Sequence, residues 1–243
     1  MDEIFGKMEG ENAAMLVDTG YGIEDVADFM RHMTDLPLTV FLTHNHHDHA
    51  MGARCFPETY MLEADMADWR MFTDDKMRRR VLTQAIGKNL PVDEKTFLAG
   101  EIPLPKVMKP GVIDLGGLTA EIIEAPGHTP GSAVVYVPER KLLLSGDDWN
   151  PCTWLFFPQA LGLREYRSNM RGIQQLPFEK VLCPHREALY DRWMFDDFFN
   201  ALTDGNLRAA EPVNIAPYEQ IDTCQATLPH DQVLVFDWAK SGL

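Results

Sequence analysis

Residues 43–52 read "THNHHDHAMG", directly after the apolar run "LTVFL" at 38–42. Four histidines and an aspartate fall within six positions. On an extended chain, side chains at i and i+2 share a face, so His44 and His46 can converge on one ion while Asn45 points away. Where the chain then turns into a helix, Asp48 and His49 project to a different point a short distance off. One loop can thus supply two adjacent metal sites, and imidazole with carboxylate suits zinc, iron or manganese. His47 has the wrong parity for His44 and His46 and reads as a bystander or a supporting group.

Two ions need more ligands than this loop offers. The remaining candidates share one grammar: an apolar strand, a small or turn residue, then a ligand-type side chain. His128 lies in "APGHTPGS" after "AEIIE", Asp147 in "LLLSGDD", and His185 in "VLCPHRE". Loops converging at one edge of a sheet are how open α/β folds build sites. Five of the eight histidines occupy such positions, far more than scattered core or surface histidines would supply.

The flanking pattern is layered α/β. A buried strand over 13–20 ends in a Gly turn, a helix follows near 23–34, and a second strand spans 37–44. A short helix is expected after the His cluster, and residues 63–90 read as one helix with acids early and bases late. A proline-containing connection leads to short strands over 111–148, then a helix near 162–176, a strand at 180–185, and a strand at 232–238. Little chain precedes the first strand, which leaves room for only a short N-terminal hairpin, or none. Interleaved strands and helices with a strand-heavy middle favour mixed sheets covered by helices.

Taken together, these residues resemble the metallo-β-lactamase superfamily. The pattern His-x-His-x-Asp-His stands as His44, His46, Asp48 and His49; the later ligands stand as His128, Asp147 and His185; and "LVDTG" at 16–20 is similar to the family's early strand-turn motif, with Asp18. The resemblance implies a four-layer αββα sandwich. It places His44, His46 and His128 on one metal and Asp48, His49 and His185 on the other, with Asp147 bridging and Asp18 holding a ligand loop. Motifs cover about 13–190 of a chain read as a single domain, 1–243; the extension 191–243 carries no recognised motif.

The implied chemistry is hydrolysis of a small ester, thioester or lactone by a hydroxide bridging two divalent ions, with zinc first and iron or manganese as alternatives. Asp48 would orient that hydroxide and shuttle a proton. True zinc β-lactamases typically carry Cys or Ser where Asp147 stands, and flavin-linked di-iron relatives carry Glu where His46 stands. Hydroxyacyl-glutathione hydrolases and acyl-homoserine-lactone lactonases both remain compatible. The alternatives are a mononuclear iron persulfide dioxygenase, a phosphodiesterase or nuclease using the same ligands, and a non-catalytic scaffold.

Net charge is −15, from 37 acidic and 22 basic residues, which opposes broad nucleic-acid binding. The only dense basic run, "KMRRR" at 76–80, reads as a solvated helix face. No apolar run approaches the roughly 20 residues that span a bilayer. The acidic start lacks a signal-peptide core, so a small-molecule substrate in the cytoplasm, with no membrane contact, is the expectation. The four cysteines form no CxxC pair and read as buried free thiols. The aromatic stretch "DDWNPCTWLFFPQALG" (147–162) suits a pocket wall over the metals, a core, or the interface of a homo-oligomer.

Overall fold

The computed structural model describes residues 6–186 and 188–243. The chain divides into two compact units, one ending at Ala120 and one from Glu121 to Leu243.

In the first unit, β1 (Gly6–Glu9) pairs antiparallel with β2 (Ala14–Val17), so the N-terminal hairpin is present but short. Strands β3 (Leu38–Phe41), β4 (Tyr60–Met61) and β5 (Lys106–Val107) continue the sheet in parallel. All four residues of β2 are buried, as the continuous apolar run of a central parallel strand requires. Helix α1 (Val26–Met33) begins where the Asp25 carboxylate accepts the Asp28 N–H. Its buried Val26, Ala27 and Met30 pack with Leu16 of β2 and Val40 of β3.

After β3 comes α2 (His47–Ala50), running on into a 3₁₀ turn over Met51–Cys55. The helix expected over 63–90 is broken. A 3₁₀ turn at Glu63–Asp65 precedes α3 (Trp69–Thr73), and α4 (Asp75–Gly87) starts afresh. The cause is Asp74, whose backbone is extended (ψ 169°) and whose carboxylate caps α4 by accepting the Met77 N–H at 2.8 Å. In the basic run, Arg78 turns inward and donates to Gly100 O, while Arg79 and Arg80 are exposed. The connection to β5 holds a further short helix, α5 (Glu94–Phe97). Trp69, Val81, Leu82 and Phe97 join Leu42 and Met51 in one core cluster behind the His cluster.

Strand β6 (Gly111–Asp114) precedes β7 (Thr119–Glu124), in which the second unit begins. There β7, β8 (Ala133–Val137) and β9 (Leu142–Leu144) form an antiparallel meander. Strand β10 (Cys152–Leu155) leaves for a second sheet, whereas β11 (Lys180–Leu182) adds parallel to β9 and β12 (Leu189–Asp191) antiparallel to β11. The C-terminal region contributes β13 (Glu211–Pro212), β14 (Thr223–Leu228) and β15 (Gln232–Asp237), ordered β10-β15-β14-β13 with β10 and β15 parallel. Residues beyond 190 are therefore woven into the strand that follows Asp147. Helices α6 (Leu163–Ile173), α7 (Arg192–Ala201) and α8 (Asp204–Arg208) complete the unit. Tyr166, Phe195 and Phe198 from these helices share a core with Val134, Leu143, Trp149 and Phe236.

Candidate metal centre

In the first unit the His cluster begins where β3 ends. His46 is the last extended residue (φ −63°, ψ 146°) before α2, so the switch from strand to helix falls inside the motif. The rings of His44 and His46 lie edge to face, centroids 4.7 Å apart, and those of His44 and His49 are 4.1 Å apart. All three imidazoles are buried. Ligand atoms of His44 and His46 lie within 4.8 Å of each other, as do those of Asp48 and His49. Asn45 points the other way, its N–H and side-chain amide donating to Asp65. His47 also stands apart, edge-on to Tyr21, and burial holds its pKa below the usual histidine value.

Asp18 organises this cluster. It is buried, and its backbone is left-handed (φ 63°), a conformation costing a non-glycine residue roughly 1 kcal/mol or more. Its Oδ1 accepts the Thr43 N–H at 2.7 Å, and its Oδ2 accepts the Thr43 hydroxyl at 2.8 Å. Oδ2 also accepts from His49 Nδ1 at 2.9 Å. Because the Thr43 hydroxyl donates to Asp18, it accepts from His44 Nδ1, 3.0 Å away. One carboxylate thus fixes the tautomer of two histidines, directly for His49 and through Thr43 for His44. In both it leaves Nε2 as the nitrogen available to a metal.

The backbone around Asp18 is docked just as closely. Thr19 donates both its N–H and its hydroxyl to His49 O, at 2.8 and 2.9 Å. Gly52, the last residue of the motif, allows this approach: a Cβ there would sit 2.1 Å from Thr19 O.

In the second unit His128, Asp147 and His185 come together from three loops. Asp147 Oδ2 lies 3.5 Å from His128 Nε2, and its Oδ1 lies 3.2 Å from His185 Nε2. His128 Nδ1 donates to Trp154 O at 2.7 Å, which again leaves Nε2 as the nitrogen available to a metal. His185 is left-handed (φ 63°), as Asp18 is. Asp148 is buried and accepts the His128 N–H at 3.1 Å. Tyr166, whose hydroxyl donates to Asp148 O, braces the same corner from α6.

The aromatic stretch is buried only in part. Trp149 and Phe156 are fully buried, Trp149 against Tyr190 and Phe195. Trp154 is 39% exposed, and Phe157 packs edge-on to His128 at 5.4 Å. Tyr190 thus takes a packing position beneath Trp149.

The family model of the metallo-β-lactamase superfamily matches residues 8–185. The chain belongs to the metallo-β-lactamase superfamily. Among curated proteins it is similar to the acyl-coenzyme A thioesterase MBLAC2 of Gallus gallus, 25% identical over 201 residues, covering 73% of this chain and 70% of that protein. Among solved structures it is similar to the metallo-β-lactamase family protein TTHA1429 from Thermus thermophilus, with TM-score 0.58 and 18% identity, covering 84% of this chain and 75% of that one. TTHA1623, solved in a di-iron-bound form, aligns with TM-score 0.54 and 20% identity over 79% of this chain and 91% of its own. These structures share the mixed α/β fold of the superfamily with this chain.

The donors present fit a divalent-metal centre of that superfamily. Imidazoles with acceptors on Nδ1, beside carboxylates, are the chemistry that holds zinc, iron or manganese. Among the described residues no helix is long and apolar enough to cross a membrane. The cysteines form no disulfide; Cys183 and Cys224 are buried and Cys55 and Cys152 partly so.

Proposed function

We propose that this chain is a hydrolase with a two-ion centre, acting in the cytoplasm on a small thioester, with ester and lactone as the nearest alternatives. His44, His46 and His128 would hold one ion and Asp48, His49 and His185 the other, with Asp147 shared between them. Zinc is the proposed metal. The observation that carries the two-ion reading is the Asp147 carboxylate, which stands between a histidine from each proposed set: Oδ2 lies 3.5 Å from His128 Nε2, and Oδ1 and Oδ2 lie 3.2 and 3.4 Å from His185 Nε2. Support for a thioester comes from the similarity to an acyl-coenzyme A thioesterase.

When bound, two divalent ions acidify water and polarise an acyl carbonyl. Asp48, at the first turn of α2, is the chain's own base. Its carboxylate takes the proton of the attacking water and returns it to the leaving sulfur as the carbon–sulfur bond breaks. Asp18 and the Trp154 carbonyl keep the histidine rings in one tautomer, and Asp148 holds the His128 backbone, so little reorganisation is needed on turnover.

Metal quantification per chain, combined with a panel of acyl thioesters, lactones and phosphodiesters, tests the reading. Two ions per chain with thioester turnover is the expected result. One iron per chain with oxygen uptake on a persulfide would overturn it.

A further inference from the structure

Four aromatic side chains form a continuous surface running outward from His128. Phe157 lies edge-on to the His128 ring and stacks on Phe156, centroids 4.6 Å apart at 28°. Tyr218 meets both phenylalanines edge-on, at 5.6 and 5.4 Å. Trp154 closes the outer end, 5.3 Å from Phe156 and 6.2 Å from Phe157. Every separation lies in the range where aromatic pairs attract. Phe156 is wholly buried and anchors the group, Phe157 and Tyr218 are half-buried, and Trp154 reaches solvent.

This is not how a strand disposes of a tryptophan for packing. Along β10 the neighbours Thr153 and Leu155 are buried while Trp154 points out. Tyr218 arrives from a loop more than sixty residues away in sequence and ends against the same rings. The surface starts on a proposed metal ligand, so whatever lies on it has one end beside the reacting centre.

We infer that Trp154, Phe157 and Tyr218 form the surface that receives the apolar acyl group of the substrate. The inference rests on the hydrolase reading above and specifies the substrate as a thioester with an extended hydrocarbon acyl chain. In a coenzyme A thioester the adenine, the one part of the leaving group that would stack on rings, is held away from the thioester by the pantetheine arm and the diphosphate, whereas the hydrocarbon acyl chain starts at the reacting carbon and gains by lying on rings that begin beside His128. Trp154→Ala keeps the backbone carbonyl that accepts from His128 Nδ1, so the ring can be removed without removing the brace.

The test is a series of straight-chain acyl-coenzyme A thioesters from acetyl to decanoyl, measured on the metal-loaded chain. For the unsubstituted protein, kcat/KM rises about two- to fourfold per added methylene before levelling off. In Trp154→Ala and Tyr218→Ala the rise flattens, through KM and not kcat, with metal content unchanged; Tyr218→Phe keeps the full rise. Trp193→Ala, an exposed tryptophan paired with His230 elsewhere, leaves the series as it was. A second readout needs no turnover: decyl-coenzyme A, a thioether that cannot be hydrolysed, binds the unsubstituted protein at least tenfold tighter than Trp154→Ala by calorimetry. Equal binding to both, or thioester turnover with no chain-length dependence, overturns the acyl surface. Tight, Trp154-dependent binding of the thioether with no hydrolysis of any thioester would instead sink the hydrolase reading and leave the surface standing.

Discussion

The Nδ1 of His49 donates to Asp18 Oδ2 across 2.9 Å, and both residues are buried. The same carboxylate accepts twice from Thr43, whose hydroxyl in turn accepts from His44. A charge placed this way sets which nitrogen of each ring is available to a metal.

Asp18→Asn removes that charge and replaces one acceptor oxygen with a donor. Metal affinity is expected to fall by about 10- to 100-fold, as it does when the carboxylate partner of a ligating histidine is lost. Competition with a chromogenic chelator measures it. Unchanged affinity would mean that Asp18 serves the fold alone.

Asp147→Asn is expected to lower bound metal from two ions per chain to one and to cut hydrolysis by more than about 100-fold, beyond what loss of a supporting residue costs. Stripping metal from the unsubstituted chain should also lower Tm. An ion held at 100 times its dissociation constant contributes about 2.7 kcal/mol. In a chain of this size that is roughly 5–10 °C by calorimetry.

Gly52→Ala and Gly87→Ala should move stability in opposite directions. A Cβ on Gly52 meets Thr19 O at 2.1 Å, whereas one on Gly87 meets nothing within 4 Å. The first is expected to cost about 1–3 kcal/mol and to reduce metal content, because Thr19 holds His49 O. The second, at the exposed end of α4, should gain about 0.5–1 kcal/mol. Urea unfolding of the two variants checks both signs.

Burial pushes the Cys183 thiol from an ordinary 9 up to about 12. The folded state therefore keeps its proton at pH values where the unfolded chain has lost it. Stability is expected to be unaffected by this group below pH 9 and to fall as pH rises from 9 towards 12. The urea midpoint of Cys183→Ala, compared with the unsubstituted protein at pH 8 and pH 10.5, should show a smaller alkaline loss. In the folded protein Cys183 should also resist maleimide at pH 8.

The ligand-type residues were legible because each sits within a few positions of an apolar strand, and local spacing is what a sequence displays. His44 and His46 share a face, and Asp18 follows its own strand. Their supports were not legible. Asp148 is a buried acceptor for the His128 N–H, which depends on how a loop twenty residues away returns. The helix break at Asp74 hides in a stretch of good helix formers, where the local Asp74 cap on the Met77 N–H competes with helix propagation. The second sheet was least visible: its pairing joins residues 152–155 to 233–236, and strand partnership at such separation leaves no local periodicity.

That last pairing has a consequence for biosynthesis. Every candidate ligand has been synthesised once translation reaches His185, but β10, which carries Trp154, gains its parallel neighbour only after translation has passed Phe236. The candidate ligands are thus made well before the aromatic surface beside His128 is secured. During that interval β10 is an unpaired edge, and the nascent second unit is most exposed to wrong strand pairing and to chaperone capture.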